Sequence, residues 1–308
     1  MISMKNWLLC GWLAAACVAS AADFSIQNEK EFRSIVPANA KVRKLADGFR
    51  FVEGPVWVDK KQGALIFSDI PANQLNKWTA KEGVTVFRTQ SNGANGNTLD
   101  GNGQLLSCEH GGRRVSLTDH EGLVLTVVDR YQGKRLNSPN DIVVKTDGTL
   151  WFTDPDYGIN ASARELPGNY VFRYNPKNDE LMPMVKDFDK PNGLCFSPNE
   201  RKLYVADSGK PHHIRVFEVQ KNGTIDNGKV FCVVNPGIPD GIRCDKKGRV
   251  FSSAGDGVHI FAEDGSLIGK ILVPETPANL CFGGKSGHTL FITAQKSLYA
   301  IDLDTRGK

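Results

Sequence analysis

VKTDGTLWFTD, residues 144–154, places an Asp147-Gly148 turn between an apolar entry and an apolar run that ends on an acid. Asp-Gly between such runs is the short-range signature of a β-hairpin. The same phrase returns as VDKKQGALIFSD (58–69), LDGNGQLLSCE (99–109), FSPNERKLYVAD (196–207), CDKKGRVFSSA (244–254) and FGGKSGHTLFITA (282–294). Between these hairpins lie further strand pairs with their own turns, among them VSLTD-HEG-LVLTVV (115–128), IRVFEVQ-KNG-TIDNG (214–228) and VHIFA-EDG-SLIGKI (258–271). A period of roughly 45 residues made of four short antiparallel strands is that of a propeller blade, and six copies predict an all-β, six-bladed β-propeller. The last repeat stops after one strand of its second hairpin, SLYAIDL (297–303), while the strand-like AKVRKL (40–45) precedes the first repeat without a partner. The N-terminal strand is therefore expected to close the sixth blade and hide a sheet edge. A β-sandwich or an open solenoid accounts less well for the sixfold spacing.

Outward from the repeat, residues 1–21 read as a secretory signal peptide. Lys5 precedes an apolar run from Trp7 to Val18, and Ala19-Ser20-Ala21 supplies the small-x-small cleavage pattern. The run is too short to cross a bilayer as a helix, so no transmembrane segment is expected. Residues 22–308 are then one propeller domain, exported to the periplasm or secreted. A lipid anchor at Cys17 is the alternative, because Leu13 to Cys17 loosely resembles a lipobox. The 38 Lys and Arg are interspersed with 34 acids, which gives no basic stripe for nucleic acid. Cys108, Cys195, Cys232, Cys244 and Cys281 show no CxxC spacing and sit in apolar runs, as buried thiols do, although an oxidising compartment would permit one disulfide.

Ahead of each inner strand stands a matching motif: EGPVW at Glu53, ANGNTL at Asn95, PNDIVV at Asn140, PNGLCF at Asn192, PDGIRC at Asp240 and PANLCF at Asn279. The first strand of a blade lies innermost, so these six side chains are expected to face one another at one end of the axis. Any one of them could be an ordinary turn former. Six in register point instead to a site, and two carboxylates among amides suit a hard divalent cation, Ca²⁺ first, with Mg²⁺ or Zn²⁺ as alternatives. Asp69, Glu109, Asp154 and Asp207 close the second strands on the same face and are expected to form a second layer around it.

EGPVW with FSDIPANQL, then CEHGGRRV, YQGKRLNSPNDIVVKTDGTLWFTDPDYG, PNGLCFSPNERKLYVADS and PDGIRCDKKGRVF, stand in an order that resembles the gluconolactonase, regucalcin and luciferin-regenerating-enzyme family, above all its bacterial gluconolactonase branch. The resemblance covers essentially all of the chain after the leader. It implies metal ligands at Glu53, Asn140, Asn192 and Asp240, with Asp240 as base or water activator. Asn95 and Asn279 then line the substrate-facing wall, and Arg135 resembles the family's substrate-contacting arginine. His110 and Tyr157, each in a loop after a second strand, are further candidates for substrate contact. His212-His213 reads as an exposed loop, with lining of the mouth as the alternative, and Trp57, Trp78 and Trp151 read as blade packing. The implied reaction is metal-assisted attack of water on a small sugar-derived lactone. Neither GxSxG nor HExxH is present. A promiscuous phosphotriesterase-like hydrolase and a non-catalytic calcium- or ligand-binding propeller are the alternatives.

Overall fold

The computed structural model describes residues 23–59 and 63–308; the signal-peptide reading falls on residues outside these. Six antiparallel sheets form the blades, five of them four-stranded and that of blade five five-stranded. Their innermost strands are Val52–Val58, Ala94–Leu99, Ile142–Val144, Pro191–Phe196, Ile242–Cys244 and Pro277–Gly283, for blades one to six. In blade three Ile142 pairs with Phe152 and Val144 with Leu150, so the Asp147-Gly148 turn sits where the sequence puts it. The turn is made by its own acid: Asp147 Oδ1 accepts from Thr149 N and Thr149 Oγ1. Asp100 and Asp245 cap the equivalent turns of blades two and five by accepting from two backbone N–H groups each.

Blade six takes its outer strand from the N-terminal region. Arg43–Asp47 pairs antiparallel with Ser297–Asp302, a little C-terminal to the span expected from the sequence. Blade five gains a fifth strand, Phe24–Ile26, which is followed by a short helix, Glu29–Arg33, that buries Phe32. A small hairpin, Arg130–Tyr131 with Lys134–Arg135, stands between blades two and three. These additions lie outside the repeat, which is why the repeat does not announce them.

The apolar core is a set of wedges between neighbouring blades. Leu194, Phe196, Leu203 and Val205 of blade four pack on Trp151, Val171 and Val185 of blade three. Trp57 of blade one stacks on Phe291 of blade six at 5.2 Å and 10°, and Trp78 tilts onto the same ring, so all three tryptophans of the strand patterns serve packing. Side chains alternate between the two faces of a blade, so each inner strand feeds two wedges and its edge is left to line the axis.

Candidate active site

The regular strand ladder breaks at the ring position in every blade. Register shifts fall between Glu53 and Val56, Ala94 and Asn97, Pro191 and Leu194, and Pro277 and Asn279. In blades three and five the ladder begins only at Ile142 and Ile242, just after Asn140 and Asp240. Bulges re-aim side chains. The Asn, Asp and Gly residues that look like turn formers therefore serve a displaced strand entry that directs one polar side chain per blade toward the axis. Glycine follows the ring residue in four motifs because the blades crowd there: a Cβ on Gly193 would lie 2.3 Å from Asp240 O, and one on Gly54, at φ +50°, 1.9 Å from Asn95 O. Backbone bonds cross the same gaps, from Gly96 N to Asn140 O and from Gly193 N to Asp240 O.

Glu53, Asn95, Asn140, Asn192 and Asn279 are buried, and Asp240 is partly exposed. Burial and the neighbouring Asp141 push the Glu53 carboxyl up to about 7, against the stabilising N–H groups of Gly54 and Asn279. Burial, then Glu53 and Asp141, push Asp240 well above the usual carboxylate range, opposed by the Asn192 amide. Asn192 also donates to Ser208 Oγ at 2.9 Å, while its Oδ1 has no partner in the protein. Asn95 Oδ1 is likewise unpartnered, and Asn95 Nδ2 lies 3.3 Å from His110 Nε2. An amide N–H pointing there makes Nε2 the acceptor and puts the ring proton on Nδ1. Burial holds His110 down at about 4, so the imidazole is neutral.

Tyr157 is at the mouth, with Asn192, Ser208 and Asp240 as neighbours. Burial and the Asp240 charge push its phenol up to about 12, so it remains a donor. Asn279 turns inward: Nδ2 donates to Glu53 Oε2 at 2.9 Å and approaches Asp141 Oδ2 at 3.5 Å, and Oδ1 accepts from Leu280 N. Arg135 Nη2 bonds Gly112 O at 3.1 Å, next to Arg113, on the hairpin beside the mouth, and is not among the bonded partners of the ring. His213 opens the third strand of blade four, and His212 precedes it at φ +47°.

The second-strand acids have a different duty from the second layer expected of them. Asp69 accepts from Arg50 N and Phe51 N, Asp154 from Asn137 N, and Asp207 from Asp189 N and Lys190 N. Each clamps the chain just before the ring residue of its own blade. Glu109 is spent on Arg88, Arg114, Ser116 and Asn92. Hydroxyls hold the ring backbone itself, with Ser68 Oγ donating to Asn95 O and Thr153 Oγ1 to Asn192 O.

Two residues of the site escape a reading of motif positions. In the aligned repeats the residue after the ring position is Gly54, Gly96, Asp141, Gly193, Gly241 and Leu280, and three after it come Val56, Thr98, Val143, Cys195, Arg243 and Phe282. Asp141 and Arg243 break their columns, and they pair with each other at 3.2 Å below the ring. The broken columns are the signal that could have found them.

Comparison with known proteins bears on what such a ring serves. Residues 51–296 match the family described as SMP-30/Gluconolactonase/LRE-like region. The gluconolactonase of Zymomonas mobilis is 34% identical over 303 residues, covering 89% of this chain and 84% of the relative. A solved gluconolactonase from Xanthomonas campestris superposes with TM-score 0.86 at 34% identity, over 92% of this chain and 96% of that one. A regucalcin from Agrobacterium tumefaciens shares the fold, with TM-score 0.74 at 19% identity over 87% and 95%. The fold is that of a six-bladed propeller with a polar ring at one end of its channel. The chain belongs to the SMP-30/gluconolactonase/LRE-like family.

Proposed function

We propose that the protein is a lactonase that hydrolyses a sugar-derived lactone, and that a divalent cation held by Glu53, Asn140, Asn192 and Asp240 assists the reaction. Asn192 Oδ1, a buried amide oxygen of that ligand set, lacks any partner, and two carboxylates are crowded into one desolvated space. This is the observation that carries the reading. Unpaired buried acceptors and like charges are costly alone and are relieved together by a hard cation. Among the described residues no three His, Cys, Asp or Glu side chains gather as a metal nest, so such a cation would lean on amide oxygens as well as carboxylates. Ca²⁺ suits that donor set best. When bound, the cation would supply Lewis-acid polarisation of the lactone carbonyl.

The chain's own groups do the rest. Asp240, partly open to the mouth and steadied by the Asn192 amide, takes a proton from the attacking water as its oxygen bonds to the carbonyl carbon. The ring C–O bond breaks, and the proton passes from Asp240 to the departing alkoxide, leaving a hydroxy-carboxylic acid. Tyr157 and His110, both uncharged, hydrogen-bond the hydroxyl groups of a sugar lactone at the mouth. The membership of the family and the gluconolactonase relatives support the substrate class. The leader-like residues 1–21 support export, where the protein would meet lactones outside the cytoplasm. Among the described residues no helix is long and apolar enough to cross a membrane.

Turnover of aldonolactones and of an organophosphate triester by the wild type and by Asp240→Asn tests the assignment. Lactone turnover that collapses in Asp240→Asn is the expected result. Turnover that survives the substitution would remove Asp240 from the mechanism, and hydrolysis of the triester alone would remove the substrate class.

A further inference from the structure

Asp141 and Arg243 stand under the ring with no part in the chemistry above. The Asp141 side chain is 1% exposed and that of Arg243 16%. Arg243 Nη1 donates to Asp141 Oδ2 and to its own neighbour's carbonyl, Ile242 O, at 2.7 Å. Burial works against the guanidinium, but the Asp141 charge, its hydrogen bond and the nearby Cys281 and Cys195 together hold it above its ordinary range. Asp141 Oδ2 also faces Asn279 Nδ2, whose other contact is Glu53 Oε2. The chain of contacts runs from Arg243 of blade five through Asp141 of blade three and Asn279 of blade six to Glu53 of blade one. It crosses the channel directly below the ring. Behind it opens a chamber of about 640 Å³, lined by Arg243, Cys195, Cys244 and Cys281 among others.

We propose that Asp141 and Arg243 are a positioning pair that sets how tightly the ring holds its divalent cation. Asp141 adds negative charge behind the ring and orients Glu53 through Asn279; Arg243 offsets that charge. The inference rests on the cation reading of the ring. It needs a charge balance: Glu53, Asp240 and Asp141 against Arg243 leave two net negative charges when all are ionised. Removing Asp141 leaves one, removing Arg243 leaves three, and removing both restores two. The two single variants are thus expected to shift cation affinity in opposite directions. A pair that only held the blades together would weaken binding when either member was lost.

The test is calorimetric titration of Ca²⁺ into chelator-stripped full-length protein at pH 8, with melting temperature recorded for each cation-free sample. Asp141→Asn is expected to bind about ten-fold more weakly and Arg243→Gln about ten-fold more tightly, with the double variant returning to within about three-fold of wild type, since charges this close and this buried couple strongly. Arg243→Lys keeps the charge and is expected to stay near wild type. It also keeps the test open if Arg243→Gln melts early. Both single variants shifting the same way, or neither shifting, while the wild type binds, overturns the pairing alone. A wild type that takes up no Ca²⁺, Mg²⁺ or Zn²⁺ overturns the cation reading of the ring and the pairing with it.

Discussion

Between Asn192 and Phe196 the inner strand of blade four passes from a buried amide to a thiol and a phenyl ring; beside it, blade five passes from Asp240 through Arg243 to Cys244. The front of the channel therefore gathers oxygen atoms whose charges are uncomfortable, and the rear gathers thiols and apolar side chains around a chamber lined also by ordinary pairings such as Lys308 with Glu200 at 2.6 Å. Both ends are built by the same strands and the same repeat. What differs is the backbone: at the front each ladder is bulged or has not yet begun, and at the rear it is regular. An irregular ladder frees a side chain from sheet packing, and this is how one repeat presents two chemistries only a few residues apart.

Substitutions can break this contrast, and the largest effects belong at the front. Glu53→Gln and Asp240→Asn are each expected to lower lactone turnover by about a thousand-fold, the scale of a lost general base or charge-stabilising group. Steady-state kinetics on an aldonolactone would show it, and a loss under ten-fold in both would return the ring to a structural role. Acid is the next lever. Glu53 sits near 7 in the cation-free protein, so kcat/KM at limiting cation is expected to fall as pH drops below 7, because a protonated carboxyl no longer binds the ion. Stability moves the other way. A carboxyl whose folded value is raised holds more protons folded than unfolded, so the cation-free protein is expected to gain thermal stability between pH 7 and the ordinary glutamate value. Melting curves of the wild type and Glu53→Gln across that range would run parallel if Glu53 were not strained.

Smaller effects mark the mouth and the rear. Tyr157→Phe removes one donor and is expected to raise KM by about ten-fold or less with little change in kcat, the cost of one neutral hydrogen bond. A large fall in kcat instead would place Tyr157 in the chemistry. Lys308→Ala at the rear is expected to leave kcat and KM within about two-fold, since it removes a partly exposed pair remote from the ring. A substantial loss there would mean that the chamber communicates with the site.

The blades were legible because each carries its own turn chemistry, such as Asp147-Gly148 capped by the Asp147 carboxylate, and because the unpaired segment 40–45 matched a missing outer strand, found at Arg43–Asp47. The ring was legible because its six positions recur at one offset from those turns. Side-chain direction was not. Asn279 shares the ring position yet spends both polar atoms inward, and Arg135 keeps to a loop carbonyl, because neither outcome is set by spacing along the chain. The strand Phe24–Ile26 and the helix Glu29–Arg33 belong to no repeat, and the duties of Asp69, Asp154 and Asp207 depend on backbone N–H groups brought near only by the fold.

Whether the front ring needs a cation to work is decided by lactone hydrolysis with protein stripped by a chelator, checked by elemental analysis, then assayed with Ca²⁺ added back. Activity is expected to be lost on stripping, to return with Ca²⁺ in the wild type, and not to return in Glu53→Gln. Full turnover by protein shown to contain no divalent metal would contradict that requirement.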